Sequence, residues 1–496
     1  MEEKKDETFI DKFLVLKGAV RELWLILGTK ILAIVAYGLV NSTLVLWLSS
    51  DLKYGDVSAG VLIAGWSTMM TLFTIMVGSL VDAIGLRKAF LIGFGACILA
   101  RGVMAFSVMR VIALPLGLLP LALGEALMTP VMVAAVKRFA TTAQRSMAFS
   151  MFYAMMNVGF AISGTLFDRV RGTLGEYGHY TLPVLGATLS TYQTLIFLGF
   201  LFTIPNLLLM YFGLREGVVV TDEGVQILVE KPKYADQGAL RALYLSSRDA
   251  LQSWMRIFGN LWTQPAFYRF LIFLSLVVFV RLIFYHMHYT FPKYGIRELG
   301  EGAPIGRIFG VLNPVLIVLL VPVIGALTQK MTAYKTVIIG SFIAASSVFF
   351  MAMPPALFAP LADGLLGDLL VHKWFGIQGP VNPLYISIFF SVVVLSIGEA
   401  FYSPRLYEYP AAIAPKGQEA SYMALSLLPY FVAKFFVGAV SGFLLMHYCP
   451  ATGPRDSQTM WLIIGIMSMI SPLGLLFLRR YIQVHEEGRE EEGAKA

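Results

Sequence analysis

The sequence predicts an all-α membrane protein, with twelve transmembrane helices in two six-helix bundles. Three observations lead there. The 496 residues are 57% hydrophobic and only 14% charged, where a soluble domain carries about a quarter charged residues. Apolar stretches of about 20 residues, long enough to cross a bilayer, recur along the whole chain. The third observation is an internal repeat. GEALMTP at 124–130 returns as GEAFYSP at 398–404, and AISG at 161–164 returns as AVSG at 439–442. GSLVDAIGLRKAFLIG from Gly78 returns in weaker form as GALTQKMTAYKTVIIG from Gly325, which pairs Gly93 with Gly340. Matching halves of this kind mark duplicated transporters, whose binding site lies between the repeats near the membrane midplane.

Taken in order, the expected spans of the first half are 23–49, 57–81, 89–109, 112–136, 146–168 and 191–213. Those of the second half are 266–290, 306–328, 335–353, 383–407, 419–446 and 458–478. Three domains follow: 1–213, a six-helix bundle with an N-terminal segment; 214–265, a linker; and 266–496, a second bundle with a tail. Lys4, Lys5, Lys12, Lys17 and Arg21 precede the first span, Arg215, Lys231, Lys233, Arg241, Arg248 and Arg256 lie between the halves, and Arg479–Arg480 follow the last span. The positive-inside rule therefore places both termini in the cytoplasm, and a multi-pass cell (inner) membrane protein is expected. Lys293, Arg297 and Arg307 are exceptions, since they fall in an outer loop. The charged start MEEKKDETFIDKF is no cleavable signal, so the first span must direct insertion. In the linker, Leu240, Tyr244, Leu251, Trp254, Met255 and Phe258 recur at near-helical spacing among charges, which predicts an amphipathic helix on the inner membrane face. The segments 171–190 and 354–382 are rich in Gly and Pro and read as caps over the spans.

The same composition excludes other classes. The net charge of +7 collects at span ends, and no basic stripe interleaved with aromatics suggests nucleic acid. Cys97 and Cys449 offer no metal spacing and are not expected to form a disulfide. His286 and His288, two apart on one helix, do not face one another, so no metal is expected. No nucleophile–base cluster or phosphate loop indicates an enzyme, and no cofactor is implied. The expected partners are a small-molecule substrate, protons and the lipid bilayer, around a monomer.

The run Gly78–Lys88 fits the pattern G-x-L-x-D-x-x-G-x-R-K. Gly78 allows close packing, Gly85 allows a sharp turn, and Asp82 with Arg87 and Lys88 can latch one conformation by pairing. The bland alternative is a tight turn with a positive-inside pair. This run resembles the loop between helices 2 and 3 of the major facilitator superfamily. Its second copy has Gln329 where Asp82 stands, so any latch is asymmetric. In the fold that the resemblance implies, helices 1, 4, 7 and 10 line the cavity, which would put Lys30, Glu125, Arg281 and Glu399 on cavity helices.

A carboxylate in a span costs several kcal/mol unless it is paired, protonated or hydrated, so Glu125 and Glu399 are candidate proton or ammonium sites. The structural alternative pairs Glu125 with Arg101 and Glu399 with Lys434. Lys30 and Arg281 are candidate anchors for a substrate carboxylate; Lys30 could instead snorkel to the interface.

Three phrases resemble the proton-coupled oligopeptide transporter family: FSMFYAMMNVG at 149–159, LNPVLIVLLVP at 312–322, and GEAFYSP. The resemblance implies that Asn157, Asn313 and Glu399 line a peptide site, with Glu399 meeting the substrate's amino end, and that uptake is proton-driven. The first span departs from the family's E-x-x-E-R-F-x-Y-Y-G. Its stretch TKILAIVAYG keeps only Tyr37–Gly38, with Thr29, Leu32 and Ala33 at the charged positions, and Thr129 stands where the family has Lys before Pro. Either Lys30 and Arg281 substitute, together with Glu125 and Glu399, or the branch has another substrate or coupling. The expected function is alternating-access, proton-coupled symport of a small organic solute such as a peptide or amino-acid derivative. Export of amphipathic compounds or lipids is the alternative.

Overall fold

The computed structural model describes residues 16–227, isolated positions between 234 and 259, and residues 262–328, 331–413 and 428–482. In hydrocarbon a backbone amide has no water to bond, so an apolar segment must satisfy its own N–H and C=O groups as a helix. The spans obey this. In the first half they are α1 (Arg21–Ser50), α2 (Asp56–Ile84), α3 (Leu86–Phe106), α4 (Leu119–Phe139), α5 (Thr142–Leu174) and α6 (Thr191–Leu208). In the second half they are α7 (Pro265–Tyr289), α8 (Leu312–Leu327, led by a short turn of helix at Ile305–Gly310), α9 (Ala333–Ala352), α10 (Leu384–Ile413), α11 (Leu428–Tyr448) and α12 (Ser457–Phe477). Eleven are long and apolar enough to cross a membrane on their described residues; in α11 the described apolar stretch is Val432–Tyr448. Most ends lie within three residues of the expected ones. α5 runs six residues further, to Leu174, and its extra length carries charges considered below. Between α2 and α3 the chain turns on Gly85 at φ 85°, left-handed backbone that favours glycine.

Two short hairpins and several short helices, the longest Phe291–Leu299, lie between the spans. β1 (His179–Thr181) pairs with β2 (Thr188–Ser190), Tyr180 opposite Leu189, within the segment expected to cap the spans. β3 (Val218–Thr221) pairs with β4 (Gly224–Ile227) at the start of the linker. The amphipathic linker helix lies largely outside the described residues.

Packing divides the chain into two compact units: Met1–Val40, Met69–Ser163 and Gln193–Trp254, and Asn41–Thr68, Gly164–Tyr192 and Met255–Ala496. In the first, α3 packs on α4 around a core of Leu23, Ile26, Phe90, Phe94, Leu127, Val131 and Phe152. In the second, α9 packs on α10 and α12, and α7 on α11 and α12. The sequence repeat now has a mechanical reading. A Cβ on Gly124 would sit 2.9 Å from the carbonyl oxygen of Gly93, and one on Gly398 would sit 2.7 Å from that of Gly340. The paired glycines of the two repeats make the same backbone-to-backbone contact in each half, between α3 and α4 and between α9 and α10. Close approach of small residues is how helices gain packing energy where lipid supplies no hydrophobic drive.

Candidate functional site

Each unit holds its own set of buried polar side chains. In the first, Glu125 on α4 meets the guanidinium of Arg101 on α3, and Arg101 also donates to Thr203 on α6. Their side chains are 7% and 3% exposed, so this is a desolvated ion pair whose separation would strand a charge. Lys30, on α1, is only 1% exposed, which excludes snorkelling. Its ammonium lies 4.3 Å from the centroid of the Phe152 ring and feels the Glu125 charge. A cation over an aromatic face gains about 2 kcal/mol when desolvated. Asn157, on α5, is buried and donates to the Tyr153 carbonyl one turn back, at 2.9 Å.

In the second unit, the Asn313 amide on α8 donates to Glu399 Oε2 and to Ser396 Oγ on α10, both at 3.0 Å. Ser396 and Glu399 are three apart on one helix face, so a single amide reaches both. Arg281 of α7 donates to Ser403 Oγ at 3.5 Å, stacks 5.3 Å from the Tyr402 ring centroid, and acts electrostatically on Glu399. Lys434 of α11 lies 5.7 Å from the Tyr285 ring centroid. Among the described residues Glu399 is thus hydrogen-bonded by the neutral Asn313, with Arg281 acting on it at a distance, whereas Glu125 bonds a full cation. His286 and His288 bond Thr290 Oγ1 and the Phe284 carbonyl on or beside their own helix, which makes them packing residues.

The sequence pattern of the Major Facilitator Superfamily matches residues 26–388, well over half of the chain. The chain belongs to the major facilitator superfamily. It is therefore a membrane transporter by family, and its fold has close counterparts among solved structures. A POT family transporter in complex with a thioalcohol-conjugated peptide superposes with a TM-score of 0.68 at 16% identity, covering 94% of this chain and 97% of that one. Another, in complex with 5-aminolevulinic acid, gives 0.69 at 15% identity over 96% and 98%. An auto-inhibited POT family peptide transporter gives 0.65 at 16% identity over 95% and 99%. At such identity the likeness is one of fold. No curated protein matches the sequence.

The superfamily loop is placed in part. Gly78 lies in α2, and Asp82 lies near its end; their side chains, and Gln329, are outside the described residues. Arg87 donates to Glu216 at 3.0 Å and to the Tyr211 carbonyl at 2.5 Å, so the loop's arginine holds the start of the linker within its own unit. Lys88 is exposed.

Several polar residues were not legible in the sequence. Thr203, Ser396 and Ser403 act only as partners, and nothing local distinguishes them from other small polar residues of a span. A second class had a visible signal: the basic residues that break the charge rule. Lys293 and Arg297 both bond Asp56, at 2.6 and 2.9 Å. Arg307 bonds Asp168 through both its backbone N–H, at 2.6 Å, and its side chain. Burial pushes the Lys293 ammonium below its usual range, and Asp56 works against that push. Each exceptional cation is thus offset by an acid from a distant segment, so it carries little weight in a count of exposed loop charges.

Proposed function

We propose that the chain is a proton-coupled, alternating-access importer of a small organic solute with an amino and a carboxylate end, such as a peptide or amino-acid derivative. One observation carries it. Asn313 and Glu399, which the family resemblance assigned to one site from separate phrases, are in hydrogen-bonding contact at 3.0 Å. A carboxylate bonded to a neutral amide can take up a proton without leaving a partner cation bare, so Glu399 is the proton-coupling group and meets the solute's amino end. The substrate-binding roles read from the sequence for Lys30, Asn157, Arg281 and Asn313 belong to the same proposal, the two cations being suited to a carboxylate. Glu125, held by Arg101, tunes the field at Lys30; it is the second carboxylate proposed for coupling, and its protonation, unlike that of Glu399, leaves a buried cation to be compensated. Gly78, Asp82, Gly85, Arg87 and Lys88 serve gating. The liganded structures of similar fold support this solute class, since one holds a peptide conjugate and another 5-aminolevulinic acid. The chain works as a monomer in the inner membrane with both termini cytoplasmic, a placement supported by the basic residues that flank the spans.

The test is reconstitution in liposomes under an inward proton gradient, after a thermal-shift screen of peptides, amino acids and organic anions has found a stabilising solute. Glu399→Gln is expected to abolish gradient-driven uptake while solute exchange without a gradient persists. Unchanged uptake by this variant at every pH would remove Glu399 from the coupling step.

A further inference from the structure

The second unit contains two pieces of the first-half helices, Asn41–Thr68 and Gly164–Tyr192, at the end of the spans remote from the N-terminus. In the latter piece, Asp168, Arg171 and Glu176 form a buried charge cluster. Arg171 donates from Nε to Glu176 Oε2 at 3.0 Å, from Nη2 to Glu176 Oε1, and from Nη1 to Asp168 Oδ1 at 3.4 Å. Tyr192 donates to Glu176 at 2.6 Å.

The cluster reaches across to the segment that opens α8. Asp168 Oδ1 accepts from the Gly306 N–H at 2.8 Å, and Oδ2 accepts from the Arg307 N–H at 2.6 Å. These are amides of a helix's first turn, which have no partner inside the helix. Arg171 donates to the Ala303 carbonyl at 3.0 Å, and Glu176 accepts from the Gly302 N–H at 3.2 Å. Glycines permit the approach. A Cβ on Gly164 would lie 2.7 Å from the Gly306 carbonyl oxygen, and one on Gly306 would lie 2.8 Å from Asp168 Oδ1.

We propose that Asp168 is a proton-binding site that operates a latch: ionised, it holds this end of the spans closed against residues 302–307; protonated, it lets them part.

The argument is one of charge. Closed, Asp168 and Glu176 are balanced by Arg171 and Arg307, and the joint is neutral. Parting without a proton would leave the Gly164–Tyr192 piece with one uncompensated negative charge and strand Arg307 on the other side. With a proton on Asp168, Arg171 and Glu176 remain as a neutral pair and the piece leaves with no net charge; Arg307, 27% exposed and bonded to the Trp374 and Phe375 carbonyls, is the one charge that stays on the other side. A neutral carboxyl is also a weaker acceptor for the two amides. The charges that act on Asp168 are Arg171 and Arg307. The other titratable groups facing the cluster are Tyr385 of α10, beside Asp168, and Tyr192 and Tyr177, beside Glu176, with Glu301 and Arg297 acting on Tyr177. Asp368, His372 and Lys373, in the turn whose neighbouring carbonyls bond Arg307, pair with one another.

The latch serves the alternating-access reading, but its test needs no solute. Spin labels go on Val184 and Leu357, which are 95% and 64% exposed, in the full-length protein, whose own Cys97 and Cys449 are buried. Pulsed electron–electron distances are then measured from about pH 8 to pH 5. The wild type should gain a longer distance as pH falls. Asp168→Asn, which mimics the protonated form, should show the longer distance at pH 8 and lose the pH dependence. Arg307→Gln, partly exposed and outside the cluster, should show it at pH 8 as well, and it carries the test if Asp168→Asn elutes as aggregate. A wild type that does not respond to pH, or variants that match the wild type at pH 8, would overturn the proposal. If the distances respond as stated and no solute is ever transported, the latch stands and the transport reading falls.

Discussion

The two copies of the repeated phrase carry chemically identical glutamates in different company, so one substitution applied to both separates their roles. In Glu125→Gln the Arg101 guanidinium keeps a hydrogen-bonding oxygen but loses its counter-charge. Removing one partner of a buried pair costs about 3–5 kcal/mol. The retained bond argues for the lower end, about 3 kcal/mol, or about two powers of ten in the unfolding equilibrium. In Glu399→Gln the new amide oxygen still accepts from Asn313, and the charge that is lost had a neutral hydrogen-bond partner. The expected change is within about 1 kcal/mol. Both variants would be unfolded reversibly in mixed detergent micelles by titrating in dodecyl sulfate, followed by tryptophan fluorescence. Adding Arg101→Gln to Glu125→Gln should recover much of the loss, because the stranded cation is then gone. The reasoning fails if Glu399→Gln costs as much as Glu125→Gln, or if the double variant is no better than the sum of its parts.

Three further outcomes follow from the geometry. Gly398→Ala places a methyl group 2.7 Å from the Gly340 carbonyl oxygen and should cost at least about 1–3 kcal/mol. Gly95→Ala, with nothing within 4 Å, should be neutral or stabilising; equal unfolding midpoints for the two would refute the close-packing role of the repeat glycines. The Arg87–Glu216 pair has side chains 27% and 58% exposed, so Glu216→Gln should change stability by less than about 1 kcal/mol, and a larger loss in the same titration would assign the pair more than surface screening allows. Asp51, just beyond α1, has its carboxyl pushed above the ordinary value by burial, against the opposing bond from Ser190. Between the ordinary value of 3.8 and that raised value the folded state holds more protons, so the Asp51 contribution to stability falls as pH rises. Asp51→Asn should therefore raise the unfolding midpoint at neutral pH and flatten its dependence on acidity; a lowered midpoint contradicts the sign.

Span positions, their number and their pairing into halves were legible in the sequence because hydrocarbon leaves the backbone one local solution. A run of about 20 apolar residues must close its own hydrogen bonds whatever surrounds it. Gly85 was legible for a similar reason, since a left-handed turn excludes a side chain locally; the repeat marked Gly93, Gly124, Gly340 and Gly398 as matching positions, and the structure supplied their contact. The partners of the charges were not legible. Glu125 finds Arg101 only 24 residues away, a pairing visible as one option, whereas Glu399 takes Asn313 across 86 residues. Lys293, Arg297 and Arg307 were anomalies in a charge count until folding brought Asp56 and Asp168 to them. Low dielectric forces each buried charge to be compensated, but it does not say by which residue, and only the tertiary packing of distant helices decides that.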